Sequence, residues 1–128
     1  MKNLAFLLLA LICSTANAAS VSFHGHDSES NQECGISYSF ESASESVSDV
    51  AFYGNGTVAS VEQKDLIFKK SIFGGYTKLK DRKTDGAMGA WTRSLLKVYG
   101  DLGSPKSFKY EYTSGRLTTG HSRTIDCI

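Results

Sequence analysis

The chain has 128 residues, with 14 Lys and Arg against 13 Asp and Glu, a formal net charge of +1. That length supports one hydrophobic core and one domain. A balance so near zero argues against a uniformly basic coat for nucleic acid, so the informative property is how the charge is distributed along the chain.

Met1-Lys2-Asn3 is a short basic start, residues 4–12 are an unbroken apolar run, and Ala16-Asn17-Ala18 sets small residues around a cut before Ala19. This is the pattern of a secretory signal peptide over 1–18, followed by a single secreted β-rich domain over 19–128. The apolar run is too short to span a bilayer and no second one follows, which predicts release into a secreted or periplasmic location without a membrane span. Cys13 follows the bulky Ile12, where a lipidated cysteine would need a small residue, and so reads as part of the leader.

Residues 19–26 alternate Val21, Phe23 and Gly25 against Ser22, His24 and His26, which predicts a first strand with a polar outer face. After a polar connection over 27–33, Cys34, Ile36, Tyr38 and Phe40 fall on one side of a second strand. The other cysteine beyond the leader is Cys127, which shares a strand face with Ile125. In an oxidising compartment this even pair predicts one structural disulfide, closing a loop of 93 residues. Residues 41–46 are serine-rich and acidic and read as a loop or exposed edge. Residues 47–53 and 57–62 flank Gly54-Asn55-Gly56, a hairpin whose Asn and Gly accept the positive φ that tight turns require. Asn55-Gly56-Thr57 is also a glycosylation sequon, read here as the turn and not the sugar.

Residues 64–70 and 71–80 each hold an apolar centre and predict two more strands, with Gly74-Gly75 as a bend before Tyr76. Lys78, Lys80, Arg82 and Lys83 read as a solvated basic turn. The period then changes. Met88, Trp91, Leu95, Val98, Tyr99 and Leu102 recur at spacings of three and four, which predicts an amphipathic helix capped by Thr84 or Asp85, with Trp91 and Leu95 facing a sheet and Arg93 and Lys97 facing water. Phe108, Tyr110 and Tyr112 share one face of a following strand, Ser114-Gly115 reads as a turn, and residues 116–127 complete the chain with a break at Gly120. The expected fold class is α+β: seven or eight short antiparallel strands, sandwich- or barrel-like, with one amphipathic helix packed on the sheet.

Charge divides sharply. Residues 19–63 carry no Lys or Arg and seven acids, whereas residues 64–128 carry thirteen basic and six acidic side chains. The expectation is that acidic and basic strands lie side by side in one sheet and pair across it, so that the division organises the fold and leaves no strong polyanion site.

Three constellations carry chemistry. His24-x-His26 projects two imidazoles to one face of a strand, and zinc or copper could be completed there by Asp27, Glu29 or His121. His121 falls opposite Ser28 if the cysteine strands run parallel and opposite Phe40 if they run antiparallel, and only the first brings it near His26. Second, Tyr76, Tyr99, Phe108, Tyr110 and Tyr112 with Lys78, Lys80, Lys106, Lys109 and Arg116 form a candidate basic aromatic surface for polyanions or glycans; Lys78, Lys80, Tyr110, Tyr112 and Arg116 are the named ligand-binding candidates. Third, the carboxylates of 27–49 sit in polar segments. A Gly-x-Ser-x-Gly elbow, a His-Glu-x-x-His pair and a phosphate-binding glycine loop are all missing, so no catalytic residue is nominated. The leading expectation is a small non-enzymatic binding module held by one disulfide, whose partner is a protein or an envelope polymer and not nucleic acid. A His-centred metal protein that could also be catalytic is the alternative, and a polyanion- or glycan-binding domain a further one.

Overall fold

The structure, a computed structural model, describes residues 18–116 and 119–128. The leader read at 1–18 lies, apart from Ala18, outside them. Nine antiparallel strands are described: β1 (Ala18–His26), β2 (Glu33–Glu41), β3 (Ser46–Gly54), β4 (Thr57–Ser60), β5 (Lys69–Ser71), β6 (Tyr76–Asp85), β7 (Ala90–Asp101), β8 (Ser104–Arg116) and β9 (Thr119–Cys127). They form two meanders, a four-stranded sheet β1-β2-β3-β4 and a five-stranded sheet β5-β6-β7-β8-β9.

The predicted helix is corrected. Among the described residues helical structure is confined to two three-residue 3-10 turns, Gln63–Asp65 and Ala87–Gly89, and most of the stretch read as helical is β7. Its three-and-four spacing arises because β7 is apolar on both faces over residues 95–99. Leu96 and Val98, both fully buried, point into the core, while Trp91, Leu95 and Tyr99 line the opposite face. Pairing with β6 and β8 supplies the backbone hydrogen bonds that a helix would have made internally, and Gly86 and Gly89 weaken any helical start. The basic run at 78–83, read as a turn, lies inside β6, and β8 continues through Ser114-Gly115 to Arg116.

Other expectations hold. Val21 is buried and His24 and His26 are exposed on β1; Cys34, Ile36 and Tyr38 are buried on β2. The β3–β4 hairpin turns through Asn55 (φ 49°) and Gly56 (φ 76°). The amide of Asn55 donates to the carbonyl of Thr124 at 2.9 Å, so this side chain pins the turn of the small sheet onto β9.

The sheets pack face to face. Val21, Ile36, Tyr38, Val50 and Phe52 of the first meet Leu79, Leu96, Val98, Phe108 and Ile125 of the second in one core. Phe108 makes an edge contact with Phe23, and Phe52 lies 4.5 Å from Tyr110 between ring centres. At one corner the sheets also join by hydrogen bonds: His26 and Ile128 exchange two backbone bonds of 3.1 Å, Asp27 bridges to Cys127, and Ser28 N–H donates to Asp126 at 2.9 Å. Gly25 permits this seam, because a Cβ there would collide with the carbonyl of Ile128. Cys34 and Cys127, both fully buried with Cα atoms 5.9 Å apart, lie at disulfide distance across the same corner. At the far end the buried Tyr38 hydroxyl donates to the Leu102 carbonyl, and burial pushes the phenol up to about 12.

Candidate functional site: an uncovered basic face

The two sheets are unequal in length. β7 and β8 run 12 and 13 residues, whereas the strands of the small sheet run nine or fewer. The excess is all at one end. Along the inner face of β9, Cys127 and Ile125 are buried but Arg123 and His121 are exposed. Along the inner face of β8, Phe108 is buried, Tyr110, Tyr112 and Ser114 are half-buried, and Arg116 is exposed. Residues 82–85, 90–94, 112–116 and 119–123 therefore project beyond the small sheet as an overhang of four to five residues per strand, about 17 Å at its longest.

Strand alternation decides what this overhang presents. The register aligns Ser94, Tyr112 and Arg123 in one row across β7, β8 and β9; Thr92, Ser114 and His121 in the next; and Ala90, Arg116 and Thr119 in the last. A groove of about 520 Å³ runs between Thr57 at the lip of the small sheet and Tyr110, Tyr112, Ser114, His121 and Arg123. A second hollow of about 270 Å³ continues from it along Thr92, Ser114, Arg116 and His121 to Thr84. No lining residue of either is acidic. Among the described residues the Arg116 side chain makes one hydrogen bond here, to the Sδ of Met88 at 3.4 Å, its carbonyl accepts from the Thr119 hydroxyl at 3.3 Å, and no carboxylate is paired with Arg116 or Arg123. Arg82, on the same face of β6, is held by both oxygens of Asp65 at 3.1 and 2.9 Å. Burial and the neighbouring Tyr112 push the Tyr110 phenol up, against Ser94 and Arg123, so this hydroxyl is a neutral donor at physiological pH.

The structure divides the basic aromatic surface read from the sequence. Tyr112 and Arg116 come together on the overhang, with Tyr110 at its root against Phe52 of the small sheet. Phe108 is core, and Tyr76 and Tyr99 pair on the outer face at 5.5 Å, with Lys97 stacked over Tyr76. Lys78 lies on that outer face in an ion pair with Asp81, and a bulge between Lys78 and Lys80 brings Lys80 into register with Leu96 at the half-buried edge of β6. Arg123 is not among the residues nominated from the sequence, although the alternation His121, Arg123, Ile125, Cys127 already places it on the cysteine's face.

His24 and His26 project from the outer face of β1. His24 lies 3.2 Å from the Tyr53 hydroxyl, and His26 is in register with Glu33. His121 is on β9, in register with Ser114 of β8, so neither proposed pairing of the cysteine strands describes its surroundings. Among the described residues no three His, Cys, Asp or Glu side chains are gathered as a metal centre.

The charge division turns out to be a division between sheets. The acidic residues 19–63 build the small sheet and its turns, and the basic residues 64–128 build the large one. The expectation of acidic and basic strands alternating within one sheet is thereby corrected. Of the ion pairs among the described residues, Lys70–Glu45, at 2.9 Å and more than half exposed on both sides, joins one sheet to the other. The rest pair neighbours within one sheet or the segment between them. Among the described residues, internal pairing thus leaves Arg116 and Arg123 without a carboxylate partner where the large sheet is bare.

No family model, curated protein or solved structure matches the chain.

Proposed function

We propose that this chain is an exported, non-enzymatic binding module that holds an acidic polymer, of the envelope or extracellular glycan class, on the uncovered inner face of its large sheet. The observation that carries this reading is the overhang itself, a surface with Arg116, Arg123, His121, Tyr112 and rows of hydroxyls, with Tyr110 at its root and no carboxylate among the described lining residues. Guanidinium groups bind carboxylate, sulfate or phosphate through paired hydrogen bonds, and tyrosine rings offer flat apolar platforms to sugar rings. A surface made of adjacent strands is rigid before the ligand arrives, so little ordering is lost on binding. Open and shallow geometry suits an extended chain better than a small molecule. The signal-peptide pattern of residues 1–18 and the buried cysteine pair support an exported, oxidising location.

The test is affinity chromatography on heparin and on an acidic polysaccharide resin. The wild-type chain should be retained above physiological salt, and Arg116→Ala with Arg123→Ala should elute much earlier while keeping the wild-type melting temperature. Elution of the wild type at or below physiological salt from both resins would refute the proposal.

A further inference from the structure

The opposite end of the large sheet carries a feature of different chemistry. β5 and β6 are joined by a tight turn over residues 72–75, in which the Gly74 N–H donates to Ser71 Oγ at 3.1 Å and Gly75 takes a φ of +65°. This turn presents Ile72 at 91% exposure and Phe73 at 102%, the most exposed large apolar side chains among the described residues. Two consecutive apolar residues at a hairpin tip do nothing for the core. Smaller polar residues would serve the turn as well, and an exposed apolar pair invites aggregation.

What lies behind the tip identifies its environment. Residues 66–80 contain Lys69, Lys70, Lys78 and Lys80 and no Asp or Glu. The half-buried Tyr76, in register with Ser71, stands directly behind the turn with Lys97 over its ring, and Ile67 and Phe68, each 37% exposed, stand at the base of the hairpin with Lys70 over Phe68. The apolar point is backed by aromatic rings and by lysines, of which Lys70 pairs with Glu45 and Lys78 with Asp81 while Lys69 and Lys80 make no ion pair among the described residues, so the hairpin offers apolar, aromatic and cationic groups of the kinds that meet acyl chains, the interface and anionic headgroups. The tip is convex, so a flat or shallow protein surface cannot enclose both side chains, whereas a lipid layer closes around them. We infer that the Ile72-Phe73 hairpin inserts into the surface of an anionic lipid membrane. β6 carries this tip at one end and the basic overhang at the other, about 30 Å apart, so the two contacts do not compete.

The experiment is flotation with vesicles of phosphatidylcholine and phosphatidylglycerol, against pure phosphatidylcholine vesicles. The wild-type chain should float with the anionic vesicles, and Ile72→Ser with Phe73→Ser should weaken partitioning by about tenfold or more, because each buried Ile or Phe side chain contributes at least the free energy of one decade. Both side chains are exposed, so the variant should keep its fold. Phe73→Trp in a Trp91→Phe background supplies the second readout: its emission should move to shorter wavelength on vesicles and be quenched by brominated acyl chains. Arg116→Ala with Arg123→Ala should bind vesicles as the wild type does, so loss of heparin retention alone leaves this inference standing. It is overturned if the wild type does not float, if the indole introduced by Phe73→Trp stays water-exposed on bound protein, or if sedimentation shows the double serine variant dissolving a dimer that vesicles cannot displace, which would make the tip an interface between copies.

Discussion

Asp27 Oδ1 accepts the backbone N–H of Asp126 at 2.8 Å, a bond between residues 99 apart that fixes the corner where the two sheets join. Its other oxygen accepts from Glu29 N–H at 3.1 Å and Ser30 N–H at 2.9 Å. Burial alone would raise this carboxyl, but the N–H groups of Ser30, Asp126 and Glu29, with the Asn55 side chain, outweigh it and bring Asp27 down to about 2.

The first prediction follows from that sign. A carboxylate held below its unfolded value adds stability that is fully present above the unfolded pKa of 3.8 and disappears as pH falls through the folded value near 2. The gap corresponds to about 2 kcal/mol. Asp27→Asn should therefore be less stable near neutrality by roughly that amount and should show a flatter loss of stability between about pH 4 and pH 2. Urea denaturation across that range measures both, and parallel acid limbs for the two proteins would contradict the account.

The second prediction separates the two faces of β7. Leu96 is fully buried, so Leu96→Ala should cost about 2 to 5 kcal/mol. Lys97→Ala, which removes a side chain stacked on Tyr76 at the outer surface, should cost under about 1 kcal/mol. Chemical denaturation of both variants checks the difference, and a larger loss at Lys97 than at Leu96 would reverse the assigned faces.

The same strand shows what was legible in the sequence and what was not. Period-two alternation identified β1, β2 and the inner face of β8 because each has one apolar and one polar side. β7 defeated it, since Leu95 is 8% exposed on the outer face, directly beside the fully buried Leu96, and the two apolar rows together imitate a helical stripe. The candidate site was half legible. Residue type and alternation pick out Tyr110, Tyr112, Arg116 and, on β9, Arg123, but that the last three are uncovered while Tyr110 meets Phe52 depends on where the small sheet stops. That limit is set by Asn55 docking on Thr124, a contact 69 residues apart that no local pattern encodes.

The third prediction concerns the disulfide. Thiol titration of the denatured, unreduced chain should find neither Cys34 nor Cys127 free. Reduction should destabilise the fold by up to about 4 to 5 kcal/mol, the chain-entropy value for a loop of 93 residues. Two titratable thiols per chain would show that the pair is not bonded in the native protein.

The fourth prediction tests which basic face matters. Arg93 and Lys109, on the outer face, already engage Asp81 and Glu111 at 3.3 and 3.2 Å. Alanine at either should leave the salt needed for elution from heparin nearly unchanged, whereas Arg116→Ala and Arg123→Ala should each lower it, and Tyr112→Ala should weaken an acidic glycan more than it weakens heparin. Equal effects from the two faces would mean that net charge, and not the overhang, governs retention.

The hydrogen-bonded corner also sets the order in which the molecule can assemble. Each sheet is a run of neighbouring hairpins that can zip up locally, but the bonds that tie residues 26–28 to the second sheet form only when residues 126–128 arrive. Contacts of such long sequence separation form slowly, because the intervening loop must close first. During that interval Ile36, Tyr38, Val50 and Phe52 have nothing to cover them. A chain threaded through a membrane from its N-terminus would pass through this sticky stage while its final strand is still in transit, which makes it a natural client for a chaperone waiting on the far side.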